Sequence, residues 1–185
     1  MKLVRHALAT ACFSLAIGAA LPAFAVDSVL VGGAPMYPNK TIVENAVNSK
    51  DHTTLVAAVK AASLVDTLNS KGPFTVFAPT NAAFAALPAG TVESLVKPEN
   101  KATLTTILTY HVVAGSHTAK DLMAAATKDG GKTMLTTVQG ENLTVSYNGK
   151  LLNVTDSKGS NSAITIADVM QSNGVIHVVD KVLLP

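Results

Sequence analysis

Residues 72–90 read GPFTVFAPTNAAFAALPAG, and this stretch decides how the rest of the chain is laid out. Phe74, Val76 and Ala78 alternate with Thr75 and Phe77, and most of the run is apolar and β-prone, the pattern of a strand covered on both faces. Pro79 lacks a backbone N–H and holds Ala78 extended, so the strand ends there. Thr80 or Asn81 is placed to cap a following helix by accepting from a free N–H of its first turn. Phe84 and Leu87, three residues apart, share the face of that helix turned to the core. Pro88 and Gly90 close the unit.

Downstream, Pro98 suits a helix start, and Leu104, Ile107, Leu108 and His111 recur at i, i+3, i+4 and i+7. That spacing puts His111 on a buried face where the helix gives way to Val112-Val113. Earlier, Thr41–Ala46 reads as a short helix with Ile42 and Ala46 on one face. Thr53–Ala62 reads as a longer one with Leu55, Val59 and Ala62 inward and Asp51 or Thr53 as cap. Leu64–Leu68 adds a turn, Thr91–Val96 one or two, and Thr118–Ala126 a helix with Leu122 and Met123 inward.

From Thr133 the period changes to two. Met134–Val138, Leu143–Tyr147 and Leu151–Thr155 read as strands, with Asn148-Gly149 as a tight hairpin turn. Asp156–Asn161 is a polar loop. Ile164, Ile166 and Asp168 alternate with Thr165, Ala167 and Val169, and Asn173-Gly174 turns into a last strand, Val175–Leu184. Helices come first and antiparallel strands last, which argues an α+β domain. No internal repeat is present.

Three segments carry a family resemblance: TVFAPTNAAFAALP (75–88), Tyr110-His111-Val112-Val113, and NGVIHVVDKVLLP (173–185). In this order they resemble the signatures of the fasciclin-like domain, over roughly Asn39 to Pro185. The resemblance implies a bent, wedge-like antiparallel β part with several short helices packed around it. It also implies adhesion through a Tyr-His motif and through an Asp-Ile pair ahead of the last signature. Tyr110-His111 matches the first, and Asp168-Val169 is similar to the second with Val for Ile. Each has a plainer reading: Tyr110-His111 packs a helix–strand junction, and Asp168 orders its own turn by accepting from the N–H groups of residues 170–174.

The chain opens with Lys2 and Arg5, an apolar run from Ala7 to Leu21 and Ala23-Phe24-Ala25, the layout of a secretory signal peptide cut after Ala25. The run is short for a membrane anchor, which takes roughly 20 residues. Cys12 lacks the preceding leucine of a lipidation site. The expected organisation is therefore residues 1–25 as signal, 26–38 as an extended arm and 39–185 as the domain, in a periplasmic or extracellular protein. Removing 1–25 takes away Lys2, the single arginine Arg5 and the single cysteine, and leaves 12 basic against 12 acidic residues. A neutral chain without arginine or clustered lysines is a poor nucleic-acid binder. It also has no disulfide, and at about 150 residues needs none.

No metal or cofactor is expected. His52, His111, His117 and His177 show no zinc spacing, and there is no HExxH. The loop 156–161 lacks the alternating carboxylates of a calcium loop. No serine stands on a Gly-x-Ser-x-Gly turn, and Gly32-Gly33 leads into no helix that would make it a phosphate loop. The sequons at Asn142 and Asn153 fall inside strands. The expected function is thus a non-enzymatic binding module for a cell-surface or matrix protein or a polysaccharide, with Tyr110, His111, Asp168 and Val169 as candidate contacts. A hydrolase and a small-ligand or lipid carrier are the alternatives from other classes. The oligomeric state is not legible.

Overall fold

The structure, a computed structural model, describes residues 28–185. The expected signal peptide, the expected cut after Ala25 and Cys12 lie outside the described residues. In chain order the elements are β1 (Val29–Val31), β2 (Ala34–Met36), α1 (Ile42–Ala46), α2 (Thr53–Ala61), α3 (Val65–Asn69), β3 (Phe74–Pro79), α4 (Asn81–Ala85), α5 (Thr91–Leu95), α6 (Lys101–Tyr110), β4 (Val112–Ala114), α7 (Ala119–Lys128), β5 (Lys132–Thr136), β6 (Asn142–Tyr147), β7 (Leu152–Thr155), β8 (Asn161–Gln171) and β9 (Gly174–Val179). Single 3-10 turns, Lys50–His52 and Pro98–Asn100, lead into α2 and α6.

The opening stretch folds as read. β3 ends at Pro79, and all of Thr75–Pro79 is buried. Thr80 caps α4 by accepting from the Ala83 N–H at 3.2 Å. Phe84 is buried and Leu87 packs beside it. The cap of α2 is different from the one expected. Neither Asp51 nor Thr53 serves; His52 stands at the cap position without a side-chain bond, because the 3-10 turn runs straight into the helix.

Seven strands form one curved sheet in the order β4-β3-β9-β8-β7-β6-β5. All neighbours run antiparallel except β3 and β9, which pair in parallel from Phe74↔Gly174 to Pro79↔Val179. The fold is thus α+β with a mostly antiparallel sheet, and its exception joins the first and last signature segments. The two edges of the sheet meet again. Val113 and Thr137 form an antiparallel bridge, and the Val138 N–H donates to the Val112 carbonyl at 2.7 Å.

Two apolar cores lie on the two sides of β3. Val76 and Ala78 face the first, with Ile176 and Val178 of β9 and the inward residues of α1, α2 and α6. Phe77 faces the second, with Val179, Leu122 of α7 and Leu143, Val145 and Val154 of the hairpins. The expected 26–38 arm is a hairpin, β1 against β2. It inserts Val31 and Met36 into the first core, and its turn lies against the Ser49–Asp51 backbone, where a Cβ on Gly32 would sit 2.5 Å from Ser49 Oγ.

β9 stops at Val179, short of the expected Leu184. Beyond it the chain leaves the sheet, yet Val182 and Leu183 stay buried. The alternation through Ile164, Ile166 and Asp168 also fails. β8 carries register shifts between Ile164 and Ile166 and between Ile166 and Val169, and Asp168 takes a left-handed φ of 56°. The extra residue turns Val169 into the first core.

At the start of the parallel pair two backbones cross in near contact. A Cβ on Gly174 would stand 2.1 Å from the Phe74 carbonyl oxygen, and one on Gly72 would stand 2.1 Å from the Asn173 carbonyl oxygen. Backbone cannot yield as a flexible side chain can. Gly174→Ala is expected to cost about 3 kcal/mol or more in urea unfolding. A variant within about 1 kcal/mol of the parent would contradict this reading of the crossing.

Candidate functional site

Burial decides what Tyr110 and His111 can do. α6 turns Leu104, Ile107, Leu108 and Tyr110 inward, and His111 caps its C-terminus. Tyr110 is 0% and His111 2% exposed. The His111 Nδ1 lies 2.8 Å from the carbonyl of Ile107, and its Nε2 accepts from the Leu183 N–H at 3.0 Å. An Nε2 that accepts carries no proton, so Nδ1–H donates to Ile107. Burial drives the pKa of His111 down to about 4, although the bond to Ile107 and the charge of Asp156 oppose the shift.

Tyr110 works the same way on another segment. Its hydroxyl accepts from the Ser157 N–H at 2.9 Å and donates to the Asn142 carbonyl at 3.2 Å. Burial raises its pKa above the ordinary phenol value. Asp156 completes the arrangement: Oδ1 accepts from the N–H groups of Lys158 and Ser160, and Oδ2 accepts from that of Leu184 at 3.1 Å. Tyr110, His111 and Asp156 together fix the exposed loop 157–160 and the C-terminal segment 182–185. Sequence reading placed His111 inside and missed Asp156. The available signal was Asp156-x-x-Gly159, the spacing of a turn in which an Asp side chain accepts from the residues that follow.

Asp168 is half-buried, and Val169 beside it is 1% exposed. The Asp168 carboxylate does not bond the N–H groups of residues 170–174. It reaches across to α7, where Oδ1 accepts from the Ala119 N–H at 2.6 Å. Ala119 is the first residue of that helix, and Thr118 and Asp121 close the rest of its first turn as a capping box. The Asp168 N–H donates to His177 Nδ1 at 3.3 Å, and His177 Nε2–H donates to the His117 carbonyl at 2.8 Å. The His177 ring stacks on Phe77 with centroids 5.7 Å apart. Thr75 adds a further tie, donating to the Gly115 carbonyl and accepting from the His117 N–H. The segment 115–119 is thus held from below by Thr75, His177 and Asp168.

The four candidate residues form two groups. Tyr110 and His111 govern the loop 157–160 and the C-terminal segment; Asp168 and Val169 sit at the β8 bulge under the start of α7. Among the described residues only Asp168 of the four reaches solvent to a useful extent. The same residues contain no group of three His, Cys, Asp or Glu arranged to hold a metal ion. His111 and His177 engage both ring nitrogens with backbone groups, so neither is free to take a proton from a nucleophile. Asn173 was read as a turn residue and does more. Its Oδ1 accepts from the Ile42 N–H, and its Nδ2 donates to the carbonyls of Leu68 and Ser70, tying α1 and α3 to the β8–β9 turn.

Comparison with known proteins gives a consistent result. Residues 50–185 match the model of the fasciclin domain. The chain is 50% identical over 159 residues to protein sll1483 of Synechocystis sp., covering 85% of this chain and 81% of that one. It is 39% identical to the immunogenic protein MPB70 of Mycobacterium bovis, over 76% of this chain and 66% of the relative. It is 36% identical to the transforming growth factor-beta-induced protein ig-h3 of Sus scrofa, of which it spans 20%. A FAS1 domain pair from the insect cell adhesion molecule fasciclin I has the same fold, with a TM-score of 0.70 at 21% identity, over 80% of this chain and 52% of that one.

The neutral His111 ring makes stability depend on pH. The folded pKa, about 4, lies below the ordinary value of 6.5, so the unfolded chain takes up a proton that the folded chain refuses. Stability is complete above pH 6.5 and falls as pH drops toward 4. Burial lowers His52 and His177 as well, with the same sign. Urea unfolding is expected to show a loss of about 2 kcal/mol from His111 alone between pH 6.5 and 5. His111→Leu should flatten that slope while lowering stability at pH 7, because it orphans the Leu183 N–H. A parent chain equally stable at pH 7 and 5 would contradict the buried neutral ring.

Proposed function

The chain belongs to the fasciclin domain family, and from that premise we propose that it is an exported, non-enzymatic binding module that holds a cell-surface or matrix protein or a polysaccharide. The observation that carries the reading is the setting of Asp168. A carboxylate on a left-handed bulge residue, bonded through one oxygen to the start of α7, is fixed in direction and still half open to solvent. A partner that reads a carboxylate gains most from one held rigidly, because little side-chain freedom is lost on contact. The related fold of an insect cell adhesion molecule supports the same class of function.

In this reading Asp168 is the contact and the other three candidates are positioning residues. Val169 anchors the bulge in the core. Tyr110 and His111 hold the loop 157–160 and the last residues in place, and so shape the neighbouring surface without touching the partner. The hairpin 29–36 and the domain from Asn39 act as one unit, since Val31 and Met36 complete the first core. Export follows from the leader-like sequence at residues 1–25. No helix among the described residues is long and apolar enough to cross a membrane.

Two substitutions separate a contact from a brace. Asp168→Asn removes the charge. Ala119→Pro removes the N–H that Asp168 accepts and leaves the carboxylate in place. Proline is tolerated at the first residue of a helix, and Thr118 already has the extended backbone (φ −76°, ψ 162°) that favours one after it.

 Each variant is expected to lose about 1–2 kcal/mol of stability. In capture of cell-envelope extract by the immobilised chain, Asp168→Asn should bind at least about tenfold more weakly, or 1.4 kcal/mol. Ala119→Pro, which keeps the charge and loses only the hold on it, should weaken binding by less than about threefold. Full binding by a folded Asp168→Asn chain would remove this residue from the contact surface, and no saturable capture by the parent would remove the binding reading itself.

A further inference from the structure

Where the loop between α3 and β3 meets the turn between β8 and β9, the surface folds into an open cleft of about 530 Å³. Its wall is drawn from residues 69–73 and 170–174, with Thr41 and Ser116. Both segments are tied down. The Asn173 side chain bonds Ile42, Leu68 and Ser70, and the Ser172 N–H donates to the Lys40 carbonyl at 2.9 Å. The backbone crossings at Gly72 and Gly174 fix the two segments against each other. The cleft is therefore formed before anything enters it, and a ligand loses little affinity to ordering it.

The polar groups of this wall are open to a ligand. Asn69 Oδ1 accepts from Thr41 Oγ1 at 2.8 Å, which leaves the Asn69 Nδ2 hydrogens unused. Ser116 Oγ, Ser172 Oγ and Lys71 Nζ have no partner among the described residues, and all four residues are exposed. No Asp or Glu lines the cleft, so the Lys71 ammonium is its only full charge. Pro73 and Met170, both exposed, add apolar surface. Water satisfies these groups in the free chain, and a polar ligand takes its place.

A cavity of roughly 150 Å³ holds benzene, and a sugar ring with its substituents has about twice as many heavy atoms, so the cleft admits about two sugar rings. Sugar hydroxyls donate and accept, which suits two serine hydroxyls and an amide, and an ammonium without an acidic neighbour suits a carboxylate. A peptide anchored by apolar side chains would find only Pro73 and Met170 to pack against. We propose that the cleft binds an acidic polysaccharide, with a uronate carboxylate on Lys71 and ring hydroxyls on Asn69, Ser116 and Ser172. This rests on the binding-module reading and narrows its partner to a polysaccharide. Ser116 belongs to the segment 115–119 that Asp168 holds, and Met170 follows Asp168 by two residues, about 7 Å along a strand. One glycan chain thus reaches both places, and Asp168 accepts from a hydroxyl of a neighbouring sugar.

The test is a titration of the purified chain, followed by its backbone amide resonances, with three probes: trigalacturonate, its fully methyl-esterified form, and triglutamate, a charged peptide without sugar rings. Trigalacturonate is expected to shift the amides of Lys71, Gly72, Ser116 and Ser172 saturably. The ester and the peptide should each bind at least about fivefold more weakly. Lys71→Gln should bring trigalacturonate and its ester within about twofold of each other, and Ser116→Ala with Ser172→Ala should weaken both by about threefold or more. These three side chains are exposed, so the variants should fold. No saturable shift at the cleft, equal binding of the ester or of triglutamate by the parent, or undiminished binding by Lys71→Gln would overturn the proposal. If trigalacturonate fails while capture of cell-envelope extract still depends on Asp168, the cleft assignment is wrong and the binding-module reading stands.

Discussion

The parallel pairing of β3 with β9 is the constraint on which the rest of the structure depends. It brings together segments about 100 residues apart and forces their backbones into near contact where Gly72 meets Asn173 and Gly174 meets Phe74. With both strands buried, one face of the pair closes the helical core and the other closes the hairpin core. Neither core can assemble without it, because Val76, Ala78, Ile176 and Val178 belong to one and Phe77 and Val179 to the other.

Buried polar groups then attach the irregular segments to this pair. His111 and Asp156 hold the C-terminal residues, Tyr110 holds the loop after β7, and His177 with Asp168 and Thr75 holds the segment that leads into α7. In each case a side chain meets a backbone N–H or C=O that no strand or helix satisfies, so the chain can be buried outside regular structure. The same residues that resemble adhesion motifs therefore bear first on the shape of the surface. Asp168 alone both braces the fold and meets solvent.

Much of this was legible in the sequence where one local rule decides the outcome. The Pro79 strand end, the Thr80 cap and the inward face of α6 with His111 all follow from spacing and turn chemistry. The Asn148-Gly149 hairpin is of the same kind: β6 and β7 pair around it from Tyr147↔Leu152. What was not legible depends on partners far away in sequence. Period-two alternation put Asp168 in line with Ile164 and Ile166, but a bulge breaks that line to seat Val169 in the core and to bring the carboxylate to Ala119. The apolar run Val175–Leu184 reads as one strand, yet β9 ends at Val179: the Asp180 N–H still donates to the Ala163 carbonyl of β8, and the N–H groups of Lys181, Leu183 and Leu184 then bond to the side chains of Ser162, His111 and Asp156. The hairpin at 29–36 has the glycines and prolines of a loose arm, and only the core it completes reveals Val31 and Met36 as buried.

The account rests on the claim that the β3–β9 pair and its buried side-chain ties form one cooperative unit. Native-state hydrogen exchange tests this most directly, and the Leu183 amide is the informative probe. It lies outside every strand and is bonded only to His111 Nε2. If the claim holds, Leu183 exchanges with the same free energy as Phe77 and Val178 at the centre of the sheet, through global unfolding. A Leu183 amide that exchanges as fast as those of exposed loops, while the sheet stays protected, would show that the C-terminal segment is a separate and weaker unit and would contradict the account.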